Sequence, residues 1–366
     1  MIKKLMFHIN SLGKGGAERV IVNLTAEFLK LGIDVAIATE WTAADEYPMP
    51  EGARRIDVGL TEAEESLSRF KKLTLRTKKL KQAILAEKPD VVVSFTRNSN
   101  YRAAMAAKGT KVPVVFSVRS DPATDYGSKA HKFLGNHLYK KTAGGVFQTQ
   151  QALEYFDKKI GDKSTVILNP LNTKFLNLSK PAKRRKVITT AGRFNVAKDQ
   201  ITLVKAFERI MDKYPDYKLQ LFGDRSEDNT FDILSDYVRK QGLQDRVLFM
   251  GNSNELEKIM IDAAVFVLSS KYEGMPNALM EAMAMGLPVV STDCPCGGPD
   301  YLINDGENGF LVPVGDDEKM AEKISYLIDH PEEAEAMGDK AKAIANQARP
   351  EVIAKTWIDF IEKAIG

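Results

Sequence analysis

Short apolar runs rich in β-branched residues alternate with helical patterns along nearly the whole chain, and this alternation constrains the fold more than any other feature. Continuous runs of this kind, separated by helices, are typical of parallel strands that are buried on both faces. The sequence therefore predicts an α/β fold with two doubly wound, Rossmann-like domains that face each other across a ligand cleft. The predicted strands are 5–9, 33–39, 90–95, 112–118, 145–149, 166–168, 187–191, 219–222, 247–250, 265–268, 288–292 and 309–312.

The length of 366 residues also favours two domains, because single domains are usually shorter. We expect the first domain to cover 1–175 and the second to cover 176–349. A basic, proline-containing stretch at 179–186 is the predicted linker, and a solvated lead-in to the next strand is equally compatible with this composition.

Charge, cysteine content and hydropathy exclude several classes of protein. With 52 Lys and Arg against 49 Asp and Glu, the net charge of +3 gives no reason to expect a nucleic-acid partner. Cys294 and Cys296 are poorly placed to bridge each other, so we expect a reduced, cytoplasmic protein, and a structural zinc site is not expected. No run reaches the ~18 apolar residues of a membrane span. His8 and Asn10 interrupt the first apolar run too early for a signal peptide.

Two loops that follow predicted strands carry residues suited to phosphate. Gly15 and Gly16 stand where the first helix begins, so that backbone amides can face an anion; a tight turn without a ligand is an equal alternative. Arg193 and Lys198 follow the strand at 187–191, at the strand end where open α/β sheets bind ligands. A guanidinium and an ammonium there can bind a diphosphate, although a solvated loop also explains them.

A third segment combines two carboxylates with a turn and a helix start. Glu273 and Glu281 are eight residues apart, 274–276 forms a turn between them, and Asn277 opens a helix. Amides at a helix N-terminus can receive a phosphate. A carboxylate one turn further in, Glu281, can accept two vicinal ribose hydroxyls, and Glu273 can reach a sugar ring. Either carboxylate alone can also be a capping or surface group.

These motifs together resemble a known family. The spacing from Glu273 to Glu281 resembles the E-x7-E motif of the retaining glycosyltransferases of family 4, which have the GT-B fold. The segment 192–198 is similar to the family's diphosphate-binding Arg and Lys, and 15–18 is similar to its amino-terminal glycine loop. The segment 292–299 resembles a loop of the bacterial members that build capsules, O-antigens and N-glycan precursors, with two glycines where one is usual.

The resemblance implies an acceptor-binding first domain, a nucleotide-sugar-binding second domain and a C-terminal helix, 350–366, that returns to the first. It implies a hexosyltransferase that moves an N-acetylhexosamine or hexose, with retention, from a UDP-sugar to an undecaprenyl-diphosphate-linked saccharide. Such an enzyme is peripheral on the cytoplasmic face of the cell membrane. The family has no obligatory metal, this sequence has no Asp-x-Asp motif, and no cofactor is expected.

The resemblance also implies a role for individual residues. Arg193 and Lys198 neutralise the departing diphosphate, Glu281 binds the ribose, Glu273 contacts the donor sugar, and 247–252 faces the base. In the family's front-face reaction, a departing phosphate oxygen helps to deprotonate the acceptor hydroxyl. The implied donor-binding set is Gly15, Gly16, Arg193, Lys198, Asn252, Glu273, Met275, Pro276, Asn277, Ala278, Leu279 and Glu281.

The segment 117–122 departs from many relatives, which have a histidine there, but it is similar to an Arg-x-Asp-Pro sequence in oligosaccharide-building members. Arg119 is a candidate for holding a phosphate or an acceptor oxygen. Asp121 joins Glu273, Arg193 and Lys198 in the candidate catalytic set, because it can orient a sugar hydroxyl. Asp121 can equally cap a turn ahead of a proline.

A predicted helix over 66–87 carries a row of basic side chains beside an apolar face. Spacings of 3, 4 and 3 place the basic residues in one line along the helix. Such a helix suggests an anionic membrane surface or a polyanionic acceptor as its partner, and a solvated helix face is the alternative. The basic row is Arg69, Lys72, Arg76 and Lys79, and the apolar face is Leu67, Phe70, Leu73, Leu80 and Ile84.

Two rival functions follow from the same sequence. A UDP-sugar 2-epimerase has the same architecture and needs no acceptor. A two-domain sugar-binding protein without catalysis is the other alternative, and the missing signal peptide argues against it, since such proteins are exported.

Overall fold

The computed structural model describes residues 2–366 and divides the chain into two compact units. The first unit comprises the chain up to Pro170 together with Pro350–Gly366, and the second comprises Leu171–Arg349. The break after Pro170 lies slightly before the expected boundary at 175. The C-terminal helix belongs to the first unit, as the resemblance implies.

The first unit is built on a seven-stranded sheet, in which every strand pair is parallel. The strand order is β3-β2-β1-β4-β5-β6-β7. Its strands are β1 Lys4–His8, β2 Asp34–Thr39, β3 Arg54–Asp57, β4 Val91–Phe95, β5 Val114–Ser117, β6 Gly144–Phe147 and β7 Ser164–Val166. Its helices are α1 Gly16–Lys30, α2 Glu62–Glu65, α3 Arg69–Glu87, α4 Arg97–Ala106, α5 Pro122–Asp125, α6 Lys129–Tyr139, α7 Gln150–Glu154, α8 Lys158–Gly161 and the C-terminal α17 Pro350–Ile365.

Aromatic contacts in the core explain why the C-terminal helix packs with the first unit. The indole of Trp357 on α17 is buried and stacks on Phe95 of β4, with 5.6 Å between ring centroids. Phe95 in turn meets Phe7 of β1 edge-on at 5.9 Å. Burying side chains of this size is among the largest single contributions to a core, so α17 is fixed by burial.

The second unit has a six-stranded parallel sheet in the order β10-β9-β8-β11-β12-β13. Its strands are β8 Arg185–Ala191, β9 Lys218–Phe222, β10 Val247–Gly251, β11 Ala263–Leu268, β12 Val289–Thr292 and β13 Phe310–Val312. A short 3-10 turn, Thr173–Phe175, precedes them. The helices are α9 Gln200–Ile210, α10 Thr230–Lys240, α11 Leu256–Met260, α12 Asn277–Ala284, α13 Gly298–Leu302, α14 Asp317–Asp329, α15 Pro331–Ala341 and α16 Ile344–Gln347.

The basic stretch at 179–186 is not a linker. Lys180 forms ion pairs with Glu335 and Asp339, and Arg184 forms one with Glu335, all within the second unit. The charges of this stretch therefore attach it to α15, and it is the lead-in to β8. The alternative interpretation of its composition is the correct one.

The basic helix begins later and is less buried than the sequence predicts. It starts at Arg69, and α2 precedes it. Only Leu80 and Ile84 of its expected apolar face are buried, whereas Phe70 is 78% exposed and Leu73 is 43% exposed. The core beneath α3 receives only its second half, so the prediction of one continuous apolar face is wrong. Within 2–366, no helix is both long and apolar enough to cross a bilayer.

A buried cluster of charges lies beside the carboxyl ends of β1 and β2. Glu40, which is almost fully buried, forms ion pairs with Arg102 of α4 and with Arg76 of α3, the latter with 3.5 Å between Nε and Oε2. The imidazole of His8 is fully buried 3.7 Å from Glu40, and its Nδ1 donates to the carbonyl of Ala38. Burial, followed by the charge of Arg102, lowers the pKa of His8 to about 3.

This lowered pKa predicts acid sensitivity of the first unit. An unfolded chain takes up a proton at His8 below about pH 6.5, whereas the folded unit resists it down to about pH 3. The free energy of unfolding should therefore fall as the pH drops below about 6.5, by up to about 1.4 kcal/mol per pH unit. Both tryptophans, Trp41 and Trp357, lie in the first unit, so urea unfolding followed by their fluorescence measures it.

The matched variants are His8→Asn and His137→Asn, the latter on the exposed face of α6. His8→Asn should flatten the pH dependence between pH 6.5 and 4.5, and His137→Asn should leave it unchanged. An equal slope in the wild type and in His8→Asn would show that the buried imidazole is not the source.

Candidate functional site

The first candidate loop is held against the end of β9 in the second unit. The amide of Gly192 donates to the carbonyl of Phe222, and the amide of Phe194 donates to the carbonyl of Asp224, both at 2.9 Å. Gly223 has a φ of +149°, and a Cβ there would lie 2.0 Å from the Gly192 carbonyl oxygen, so only glycine permits this approach. The loop therefore presents Arg193 as an exposed side chain at the end of β8.

A second loop, 269–273 after β11, is joined to the first by three polar contacts. The amide of Lys271 donates to the carbonyl of Ala197 at 2.7 Å, and the hydroxyl of Ser269 donates to the carbonyl of Lys198 at 3.0 Å. The Lys271 ammonium pairs with the buried Asp199 at 3.2 Å. Because main-chain atoms carry two of these contacts, the two loops are fixed relative to each other.

The joined loops place a cation directly on a carboxylate. The ammonium of Lys198 contacts Oε1 of Glu273, and the Ser270 hydroxyl donates to the same oxygen at 2.6 Å. The side chains of Lys198 and Glu273 remain 24% and 12% exposed. The pair is therefore partly desolvated yet open enough for a ligand to reach it, which is the setting in which charge contacts are strongest.

The turn at 274–276 leads from this pair into helix α12. Pro276 is the N-terminal cap of the helix, and its side chain offers no capping hydrogen bond. The first amides of a helix have no acceptor within the helix itself, and an anion can bind at such a helix start. Met275 is buried beneath the turn, and Glu281 is buried one turn into the helix. Among the other predicted donor residues of this unit, Asn252 is exposed and donates to Asp224 at 2.9 Å.

The loop that contains the two cysteines is hydrogen-bonded to the segment that leads into the turn at 274–276. The hydroxyl of Thr292 donates to the carbonyl of Ser270 at 2.6 Å, and the amide of Glu273 donates to the carbonyl of Pro295 at 3.3 Å. Burial, followed by the negative charge of Glu273, raises the pKa of the Cys294 thiol to about 12. The thiol is therefore protonated at neutral pH and acts as a small apolar group.

Ser270 of this site escaped the sequence analysis, and Gly298 was noted there only as one of two glycines in the segment 292–299. Ser270 lies between β11 and the turn, where its spacing of three from Glu273 was the only signal. Gly298 follows Gly297, whose φ is +70°, and a Cβ on Gly298 would lie 1.8 Å from the carbonyl oxygen of Gly274. The doubled glycine is therefore needed for the close approach of the cysteine loop to the turn.

The variant Gly298→Ala should consequently displace the turn before α12. We expect the apparent affinity for the UDP-sugar that the resemblance implies to fall at least about tenfold and the melting temperature to drop, since a backbone clash of this size forces a main-chain shift. Calorimetric titration and thermal unfolding measure the two effects. Gly306→Ala is the control, because that glycine has a positive φ with no atom within 4 Å of its Cβ position. Equal affinity in both variants would contradict the close approach.

The remaining predicted residues lie in the first unit. Gly15 is the N-terminal cap of α1, and Gly16 is its first residue, as the glycine loop predicts. Arg119 follows β5, with its guanidinium 5.1 Å from the ring centroid of Phe95 and in contact with the Asn169 side chain. Burial lowers the pKa of Arg119 to about 9, which leaves it charged at neutral pH.

Asp121 has a structural role in this unit. Its side chain caps α5, accepting from the amide of Ala123 at 2.9 Å and from the hydroxyl of Thr124 at 3.1 Å. Each carboxylate oxygen thus accepts one hydrogen bond from the start of α5. The capping interpretation explains these contacts of Asp121, and its role in orienting a sugar hydroxyl stays a prediction.

The basic row on α3 is not a free cationic surface. Lys72 and Arg76 form ion pairs with Glu65, and Lys79 forms one with Glu64, both carboxylates being supplied by the short helix α2. Three of the four basic groups therefore already have carboxylate partners, and the expectation that the row faces an anionic partner stays a prediction. The missed signal is the capping box between Thr61 and Glu64, which marks a separate acidic helix just before α3.

Comparison with known proteins agrees with this architecture. A model described as Glycosyltransferase Family 4 matches residues 14–175, and a model described as glycosyl transferases group 1 matches residues 174–344. The structure of HepE from Anabaena in complex with UDP and glucose superposes with a TM-score of 0.83, at 18% identity, over 99% of this chain and 100% of that chain. Sucrose-phosphate synthase from Thermosynechococcus elongatus gives 0.83 at 19% identity, over 99% and 98%.

Two relatives align over almost their full length. One is an N-acetylgalactosamine-N,N'-diacetylbacillosaminyl-diphospho-undecaprenol 4-alpha-N-acetylgalactosaminyltransferase of Campylobacter jejuni, 26% identical over 98% of this chain and 100% of that protein. The other is an uncharacterized glycosyltransferase of Haemophilus influenzae, 26% identical over 97% of this chain and 99% of that protein.

The two parallel sheets and the superposition with HepE define a GT-B fold. The two family models follow each other along the chain from residue 14 to residue 344. The chain belongs to the family 4 glycosyltransferases, with a group 1 domain as its second half.

Proposed function

We propose that this glycosyltransferase moves a hexose or N-acetylhexosamine from a UDP-sugar to an undecaprenyl-diphosphate-linked saccharide, with retention of configuration. The observation that carries the proposal is the contact of Lys198 with Glu273, made where two joined loops meet the start of α12. A cation and a carboxylate beside a helix N-terminus suit a nucleotide sugar, because the cation can bind its diphosphate, the carboxylate its sugar and the helix start a phosphate oxygen.

The donor and acceptor classes have support from the relatives. HepE, which shares the fold, was solved in complex with UDP and with UDP-glucose. The Campylobacter jejuni relative is named for N-acetylgalactosamine transfer to a saccharide on diphospho-undecaprenol. An acceptor of this kind is anchored in a membrane, so we propose that the enzyme works at the cytoplasmic face of that membrane as a peripheral protein.

The proposed reaction uses the second unit to stabilise charge. The bond between the sugar C1 and the diphosphate oxygen breaks, and negative charge grows on the departing UDP. Lys198 and Arg193, with the first amides of α12, stabilise that charge, while Glu273 holds the sugar hydroxyls. The acceptor hydroxyl attacks C1 from the same face, and its proton passes to a departing phosphate oxygen. Fixed cations thus supply the stabilisation that a metal ion gives elsewhere.

Product analysis with a panel of UDP-sugars tests this proposal. UDP-glucose, UDP-galactose and their N-acetylamino forms are each incubated with and without bacterial lipid extract that contains diphosphate-linked saccharides. We expect release of UDP that depends on the extract, together with a lipid-linked product one sugar heavier. Conversion of a UDP-sugar to its 2-epimer without acceptor would support the epimerase instead, and unchanged UDP-sugar in every mixture would support a binding protein.

A second expectation concerns metal ions. Because two protein cations are assigned to the diphosphate, transfer should persist in excess EDTA at a rate within about twofold of the untreated enzyme. The measurement is UDP release before and after chelation, with added Mg²⁺ and Mn²⁺ as the comparison. Activity that disappears in EDTA and returns with either ion would contradict the assignment of Arg193 and Lys198.

A further inference from the structure

We propose that a pocket on the first unit binds an acyl chain of an anionic phospholipid, with basic groups at its rim binding the lipid phosphate. This inference rests on the membrane-linked acceptor of the proposed function, and it gives the enzyme a defined lipid site. The pocket lies between α4 and α6, at the amino ends of β5 and β6. The pocket is therefore at the amino ends of the strands, whereas Arg119 lies at their carboxyl ends.

The size and lining of the pocket suit a hydrocarbon chain. Its volume is about 570 Å³, within the usual range of small-molecule sites. The walls are mostly apolar, with Met105 from α4, Leu138 from α6 and Val112 and Pro113 from the segment before β5. An apolar pocket open to solvent is stabilised when a chain displaces its water.

The rim of the pocket is cationic and has no acidic neighbour among its lining residues. Lys108 and Lys141 line it, and neither ammonium has a carboxylate partner in the part of the chain that the structure describes. The ammonium of Lys81 donates to the carbonyl of Lys108 at 2.8 Å and adds a third positive charge. In the sequence, 91–153 contains nine Lys and Arg residues but only two acidic residues, Asp121 and Asp125. This excess of positive charge complements a phosphate headgroup.

Exposed apolar side chains continue from the pocket along the outer face of α6. Phe133 is 74% exposed and Leu134 is 39% exposed. Phe133 stacks on His137 with 6.5 Å between ring centroids, and His137 lies 2.9 Å from the Lys141 ammonium. The spacing of four residues places these three side chains in one row that ends at the rim. An aromatic ring, an imidazole and an ammonium in a row fit a membrane interface, where apolar and anionic groups meet.

Flotation with lipid vesicles tests the headgroup part of the proposal. The full chain is mixed with vesicles of phosphatidylglycerol or of phosphatidylcholine, without UDP-sugar. The wild type should float with phosphatidylglycerol only. The double variant Lys108→Glu/Lys141→Glu should bind at least about tenfold more weakly. The control is Lys71→Glu/Lys78→Glu, which makes the same charge change at exposed positions of α3.

Equal loss of flotation in both double variants would overturn the proposal, because general charge would then explain binding. Phe133→Asp is a second surface variant, and it should weaken flotation without affecting the melting temperature. No flotation of the wild type with phosphatidylglycerol would also overturn the proposal.

A soluble short-chain lipid tests the pocket itself. Dihexanoyl-phosphatidylglycerol, titrated below its micelle concentration, should bind the wild type at least about tenfold more tightly than glycerol phosphate does. Ala104→Trp fills the pocket wall and should remove this difference. Equal binding of the two ligands, or unchanged lipid binding in Ala104→Trp with an unchanged melting temperature, would overturn the pocket assignment.

These outcomes are separable from the failure of the proposed function. UDP binding is measured on the same samples and involves residues of the second unit. Loss of lipid binding with intact UDP binding and intact sugar transfer would contradict only the proposal of a lipid site. Flotation of a protein that transfers no sugar would contradict only the proposed reaction.

Discussion

Replacing Lys198 with alanine is expected to lower kcat for sugar transfer by at least about 100-fold, the scale of one preorganised charge contact. The ammonium already stands against Glu273, so it needs little rearrangement to meet the charge that develops on the departing diphosphate. Arg193→Ala should lower kcat by a similar factor, since its exposed guanidinium is also assigned to the departing diphosphate. Initial rates of UDP release at saturating acceptor measure both effects.

The control for Lys198→Ala is Lys205→Ala, which removes the same charge from the exposed side of α9. Lys205→Ala should retain near-normal turnover. The melting temperature of Lys198→Ala should change little, because its side chain is partly exposed and lies outside the core. Normal turnover in both Lys198→Ala and Arg193→Ala would remove the two cations from the mechanism.

The second large effect concerns stability. Glu40→Ala should lower the free energy of unfolding of the first unit by about 3–5 kcal/mol, because it leaves the buried guanidinium of Arg102 without its counter-ion. Arg76 of α3 loses a partner as well. Urea unfolding followed by tryptophan fluorescence measures the loss, since Trp41 and Trp357 both report on this unit.

Glu65→Ala is the matched control for Glu40→Ala. Glu65 also pairs with Arg76, but its side chain is 45% exposed, and exposed pairs of this kind contribute little to stability because water and salt screen them. A loss in Glu40→Ala no larger than that in Glu65→Ala would contradict the structural role of the buried cluster.

Local signals predicted most of the fold. The strand-and-helix alternation predicted both parallel sheets, because buried parallel strands need continuous apolar runs that are visible without any tertiary information. Strand β3 escaped because it is an edge strand of the sequence Arg-Arg-Ile-Asp, whose charged side chains suit an edge but carry no apolar pattern. The exposure of Phe70 escaped because periodicity cannot show where the underlying core ends.

The motifs of the candidate site could be predicted from the sequence, whereas the contacts between them could not. The motifs around Lys198 and Glu273 were visible, since turn chemistry and helix starts are local features. The contacts that fix them were not visible, because Thr292 reaches Ser270, and Lys271 reaches Asp199, through the tertiary fold. The pairing of Lys72, Arg76 and Lys79 with carboxylates of α2 likewise depends on how this short acidic helix lies beside α3.

Calorimetric titration with UDP and with uridine, in EDTA, tests the central claim that protein cations of the second unit bind the donor diphosphate. The account predicts that UDP binds the wild type at least about 100-fold more tightly than uridine, and that the double variant Arg193→Ala/Lys198→Ala reduces UDP to the affinity of uridine. Equal affinity of the wild type for UDP and uridine, or unchanged UDP affinity in the double variant, would contradict it.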